Sequence, residues 1–131
     1  MNTTTFKCEP VKTIADARGL LFEPVSMEEM HAHKNAHIVV TEPGHIRGNH
    51  FHKHSGEITV VTGATLVRVK IGDEIQEFSI PEGQAWKFHI PPQIPHAFKN
   101  VGNRPTVLIG FNTALHDPNN PDTFREVLIE S

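Results

Sequence analysis

Short apolar and β-branched runs recur along the chain, punctuated by glycine, proline and asparagine. Residues 36–41, 58–71, 75–80, 84–90 and 106–112 are rich in Val, Ile, Thr and Phe and read as strands. Over residues 66–71 apolar side chains alternate with Arg68 and Lys70, the pattern of a strand with one face turned inward. Gly72-Asp73 then predicts a two-residue hairpin turn, with residues 74–78 returning beside it. Residues 26–33 form the one helical candidate, short, with Glu28 and Glu29 suited to a first turn. Pro91, Pro92 and Pro95 predict an extended corner, and residues 117–121 no regular structure. Strands at this spacing predict an all-β sandwich or barrel, with residues 1–131 forming one domain. Trp86, Phe88, Phe98 and Phe111 fall on these strands, as core or as the lining of a barrel mouth.

Composition removes several classes of function. The single cysteine, Cys8, allows no internal disulfide and fits a reducing compartment. Residues 1–10 show no basic run followed by an apolar stretch, so the expectation is a cytoplasmic protein without a leader. Nothing approaches the ~20 apolar residues that span a bilayer. Twelve basic residues against 15 acidic, with no Lys or Arg cluster, give no electrostatic reason to expect nucleic acid or a membrane surface as partner. Histidine is the unusual residue, ten in 131. Free imidazoles titrating near pH ~6.5 would carry the formal charge from −3 to +7 on acidification, and a metal site would hold some of them neutral.

The densest histidine segment is residues 44–57. On an extended chain residues two apart share a side, so His50, His52 and His54 project from one face. Glu57 and the distant His96 are further candidate donors. Three imidazoles and a carboxylate suit zinc, iron, manganese or nickel, and the residue types do not choose among them. An isolated His-x-His pair is also a common polar strand edge.

The spacing of Gly44, His50, His52 and Glu57 resembles the first motif of the cupins, and Pro91 to His96 with Asn100 resembles the second. This resemblance implies a double-stranded β-helix, the cupin jelly-roll barrel, holding a divalent metal through His50, His52, Glu57 and His96, with zinc favoured and iron, nickel or manganese open. Two departures carry structural expectations. Gln93 stands where the family has a glycine, which predicts a left-handed backbone there. Five residues separate Glu57 from Gly63 where the family has six, and a one-residue change on a strand reverses a side chain's face. Either a bulge returns Glu57 to the interior, the preferred outcome, or Glu57 points outward and His54 replaces it.

Residues 16–23, Asp-Ala-Arg-Gly-Leu-Leu-Phe-Glu, resemble a segment of the nucleotide-sugar epimerases of dTDP-rhamnose synthesis. That implies Arg18 and Glu23 as nucleotide contacts, and a guanidinium can engage a phosphate with two hydrogen bonds. Residues 48–52, 100–102 and 117–124 are similar to the C-terminal cupin domain of bifunctional enzymes of capsular polysaccharide synthesis. These resemblances imply epimerisation or isomerisation of a 4-keto-6-deoxy nucleotide sugar, and a homodimer whose copies lend N-terminal segments to one another. Such chemistry needs a base for the α-proton and stabilisation of the enolate. His54, if not a ligand, and His45 are the nearest candidate bases; the related enzymes use a tyrosine, and this chain has none. Lys87, His89 and Lys99 are candidate phosphate contacts, with solvated strand positions the plainer reading. His31, His33 and His37 form a loose second cluster, and His116 reads as packing or capping. The same scaffold also admits an iron-dependent oxidative cupin or a non-catalytic sugar- or metabolite-binding cupin.

Overall fold

The runs of Val, Ile and Thr become strands where the pattern predicts them, and every ladder between named strands is antiparallel. The computed structural model describes residues 5–131; residues 1–4, the start of the segment read for a leader, lie outside it. In chain order the elements are β1 (Lys7–Pro10), β2 (Thr13–Asp16), β3 (Gly19–Phe22), α1 (Met27–His31), β4 (Asn35–Thr41), β5 (Ile46–His52), β6 (Glu57–Thr62), β7 (Thr65–Ile71), β8 (Glu74–Ile80), β9 (Ala85–Ile90), β10 (His96–Asn100), β11 (Thr106–Asn112) and β12 (Thr123–Arg125). One sheet runs β1-β9-β6-β11-β4 and the other β12-β5-β10-β7-β8, while β2 and β3 form a separate hairpin. The two five-stranded sheets are those of a cupin jelly roll, with the one short helix the sequence allowed.

The run 58–71, read as one strand, is divided. At Gly63 the chain leaves the first sheet and at Thr65 it enters the second. Gly63 sits so close to the Pro81 carbonyl that any side chain there would collide with it. Thr65 closes the corner by donating its hydroxyl to the Thr62 carbonyl at 2.8 Å. The Gly72-Asp73 turn forms as predicted, with Ile71 opposite Glu74 and Gly72 at φ 62°. Ser26 caps α1 in a capping box with Glu29, two reciprocal bonds that stabilise so short a helix.

Alternation sorts the side chains. Val67 and Val69 point between the sheets, fully buried, while Arg68 and Lys70 face out to Glu77 and Glu126. With Val61, Ile80, Phe88, Ile90, Phe98 and Leu108 they make the apolar part of the barrel interior. Ile58, Val60, Ala85 and Phe111 instead face outward and are covered by Val11, Phe22 and Val25 of the N-terminal segment. The C-terminal residues Leu128 and Ile129 cover Ala97 on the outside of the second sheet. Among the described residues no helix is long and apolar enough to cross a membrane.

Candidate metal centre and its cavity

The second sheet places β5 beside β10 with His50 directly opposite His96. His52, two residues on, shares their face. The rings stand 4.8 Å apart for His50 and His96, 5.0 Å for His50 and His52, and 5.6 Å for His52 and His96, centre to centre. One nitrogen from each lies within 4.8 Å of the others, and among the described residues no other group of three such donors converges this way. They line a cavity of about 570 Å³ at the open end of the barrel, within the range of small-molecule sites.

Each imidazole has a defined setting. His96 is 1% exposed, and its Nδ1–H donates to the Ile94 carbonyl at 2.9 Å, leaving Nε2 as the nitrogen with a free lone pair. Gln93, whose φ of 69° is the left-handed backbone predicted for it, shapes that corner and donates its N–H to the His52 carbonyl at 2.6 Å. His52 Nε2 lies 3.1 Å from Glu57 Oε2, and its Nδ1 lies 3.3 Å from the Thr123 hydroxyl. Burial, then the neighbouring charges of His96 and His52, lowers the His50 pKa to about 4. Burial likewise lowers that of His96, against the opposing pull of Glu57. For Glu57, burial alone would raise the pKa, but the hydrogen bonds from His52 and Thr59 and the nearby imidazoles hold it well below the carboxylate range. Three imidazoles beside one carboxylate make a divalent-metal donor set.

Glu57 reaches the interior without the bulge expected for it. β6 pairs with β11 and β9 in unbroken register, so Glu57, Thr59 and Val61 share the inner face and Ile58 and Val60 the outer. The regular pairing continues to Thr62, and the chain turns into the second sheet at Gly63. Asn112 Nδ2 donates to Glu57 Oε2 at 3.0 Å, and the Thr59 hydroxyl donates to Oε1.

The bulge occurs in β5 instead. Between His96 and Ala97 the register jumps from His50 to Gly48, leaving Asn49 unpaired at φ 55° and Gly48 at φ 86°. A Cβ on Gly48 would fall 2.7 Å from the His96 carbonyl oxygen, so only glycine fits. The extra residue puts Arg47, three before His50, on the same inner face. Arg47 lines the cavity with its guanidinium anchored to the Val40 carbonyl at 2.9 Å and the Thr41 hydroxyl at 3.2 Å. Simple alternation hides this arginine, and the adjacent Gly48-Asn49 was the available signal. Asn100 of the second motif has a structural role: its amide donates to the Thr41 and Arg104 carbonyls and its oxygen accepts from Gly102 N.

Several predicted residues lie elsewhere. His54 is exposed and lines a neighbouring cleft; Asp122 accepts the backbone N–H groups of His54 and Ser55 at 2.9 Å, turning the ring away from the three imidazoles. His45 is exposed on the turn before β5 and does not line the cavity. Arg18 and Glu23 are exposed on and just after the β2–β3 hairpin, where the Arg18 guanidinium is taken up by Asp16 at 2.6 Å. Lys87 and His89 face outward from β9 toward Glu29, at 2.9 and 3.3 Å, and Lys99 faces outward beside Ala97. The loose cluster of His31, His33 and His37 does not assemble: His33 Nδ1 caps the Glu29 carbonyl, while His37 enters the main cavity. His116 neither packs nor caps but is exposed at the cavity rim with Leu115 and Asp117.

The family model for the polysaccharide biosynthesis C-terminal domain matches residues 14–124, and the chain belongs to that family. None of the curated proteins compared with it matches. Among solved structures, the capsular polysaccharide assembling protein CapF of Staphylococcus aureus is 26% identical with a TM-score of 0.67; the alignment covers 91% of this chain and 35% of CapF, so the chain spans about a third of that protein. The 3,4-ketoisomerase QdtA of Thermoanaerobacterium thermosaccharolyticum, in a variant solved with TDP-4-keto-6-deoxyglucose, is 19% identical with a TM-score of 0.69, covering 92% of this chain and 87% of QdtA. NovW, a 4-keto-6-deoxy sugar epimerase of Streptomyces spheroides, is 17% identical with a TM-score of 0.67, covering 87% and 66%.

Proposed function

We propose that this member of the polysaccharide biosynthesis C-terminal domain family is a metal-assisted isomerase or epimerase of a 4-keto-6-deoxy nucleotide sugar. The observation that carries the reading is the convergence of His50, His52 and His96 on one cavity, with a carboxylate, Glu57, beside His52. His52 Nε2 and Glu57 Oε2, 3.1 Å apart, would both be among the donors that hold such an ion. A divalent ion held there, zinc by preference and iron, nickel or manganese by the same donors, would supply a Lewis acid for the ketone oxygen.

The protein's own groups do the rest. Ile94 and Thr123 hold His96 and His52 in orientation through their Nδ1 atoms, the apolar wall of Val39, Phe98 and Leu108 excludes water, and Arg47 offers a cation at the mouth for a phosphate. Fold relatives solved with TDP or TDP-sugars support a nucleotide-sugar ligand. A homodimer belongs to this reading. It covers the exposed Ile38 and Val40 on edge strand β4, and it lets Arg18 and Glu23 on the projecting hairpin reach a partner copy's cavity.

The test is incubation of metal-loaded protein with TDP-4-keto-6-deoxyglucose in D₂O. Deuterium entering the sugar beside the ketone, lost in His50→Ala and His96→Ala, is the expected result. Intact metal-loaded protein giving no exchange across a panel of 4-keto nucleotide sugars would sink the proposal.

A further inference from the structure

We infer that His37 is the proton-transfer residue of this cavity, seated for that role by Gly110. The inference rests on the isomerase or epimerase reading above and assigns its missing base.

β4 turns Asn35, His37 and Val39 into the cavity and leaves Ile38 and Val40 outside, 70% and 52% exposed. A strand that leaves two large apolar residues exposed and turns an imidazole inward departs from an ordinary core strand. His37 lies directly opposite Gly110 of β11, and Gly110 lies opposite Thr59 of β6, so the three form one row across the inner face. The His37 ring rests over the Gly110 backbone: a Cβ built on Gly110 would fall 2.6 Å from His37 Nε2 and 3.1 Å from Nδ1. Gly110 has no left-handed backbone to justify it, and glycine inside a strand weakens the strand. The space for the imidazole is what its missing side chain supplies.

The ring is otherwise uncommitted. His37 makes no side-chain hydrogen bond among the described residues, and it stands outside the group of three converging donors, though close enough for its charge to bear on His50. The carboxylates of the cavity are less available. Glu57 is engaged by His52, Thr59 and Asn112, Asp122 by Ser55 and the His54 backbone, and Asp117, at the rim, by the Asn119 N–H. With His54 and His45 outside, His116 exposed on the irregular segment at the rim and no tyrosine in the chain, His37 is the base mounted on a strand of the wall.

The step balances within substrate and enzyme. Neutral His37 takes the proton from the carbon next to the ketone, and the C–H electron pair moves into the new carbon–carbon double bond as the ketone becomes an enolate. Return of a proton to the same carbon from the opposite face, supplied by solvent while His37 releases its proton to water, gives the epimer. Proton transfer from the neighbouring hydroxyl, with protonation of the former ketone carbon, moves the ketone by one position. Neither path needs an oxidant or reductant.

The experiment compares zinc-loaded wild type, His37→Ala, His37→Gln and Gly110→Ala with TDP-4-keto-6-deoxyglucose in D₂O. Both His37 variants are expected to slow exchange about 10²–10⁴-fold while retaining wild-type zinc content and TDP affinity. Imidazole added to the buffer restores part of the rate to His37→Ala, whose cavity has room for it. Gly110→Ala loses exchange by displacing the ring and is not rescued. A structural role for His37 would not produce this difference in rescue. An active wild type with an equally active His37→Ala overturns the assignment alone; an inactive wild type overturns it together with the reading on which it rests.

Discussion

His52 and Glu57 belong to opposite sheets, yet His52 Nε2 and Glu57 Oε2 lie 3.1 Å apart and join the sheets at the open end of the barrel. The carboxylate is buried, and Asn112 and Thr59 also donate to it. A group so fully engaged orients its neighbour as well as offering charge.

Glu57→Gln should therefore lower metal affinity by roughly 10–100-fold, measured by chelator competition. It should also cost the metal-free protein about 1–3 kcal/mol, because an amide cannot accept from His52, Asn112 and Thr59 as the carboxylate does. Unchanged affinity would remove Glu57 from the metal centre.

His54→Ala should leave both metal content and sugar exchange within about twofold of wild type, since the ring points into the other cleft. His50→Ala in the same assays should abolish stoichiometric metal binding. Elemental analysis of the two variants side by side decides whether the second alternate histidine after His50 belongs to the site.

The pKa of His50 in the folded protein is lowered to about 4, and that of His96 is lowered too. Between pH ~6.5 and 4 the unfolded chain thus binds more protons than the folded one, and stability falls as pH falls through that window. For His50 the loss is of order 2 kcal/mol after discounting for the solvent its ring still meets. Urea unfolding of metal-free protein at pH 7 and pH 4.5 measures it. Flat stability over this range would contradict the burial assigned to these rings.

Asn49 accepts from Leu128 N and Ile129 N and donates to the Ile129 carbonyl, all from a left-handed backbone. Asn49→Ala should cost roughly 2–4 kcal/mol in chemical unfolding, from three buried hydrogen bonds and the loss of the polar side chain that makes asparagine tolerant of a left-handed backbone. Asn49→Gly loses the same bonds but is at ease in the left-handed region, and should fall between alanine and wild type.

Charge placed on the outer face of β4, by Ile38→Glu with Val40→Glu, should convert the proposed dimer to a monomer in light scattering at micromolar concentration. A monomeric wild type would refute the dimer and with it the delivery of Arg18 and Glu23 in trans.

Local regularities were legible in the amino-acid order alone. Alternation placed Val67 and Val69 inside, Gly72-Asp73 announced its turn, and a two-residue period put His50 and His52 on one face, because strand parity and turn chemistry need only adjacent residues. Pairing decided the rest. Glu57 points inward because the register of β6 is set by its unbroken pairing with β9 and β11. Arg47 joins the histidines because a bulge against β10 resets the parity of β5. His37 leaves the neighbourhood of His33 and rests on Gly110, 73 positions later in the chain, because β4 lies beside β11. A strand's period says which residues share a face, whereas only the neighbouring strand and the closing of two sheets say which face surrounds the cavity.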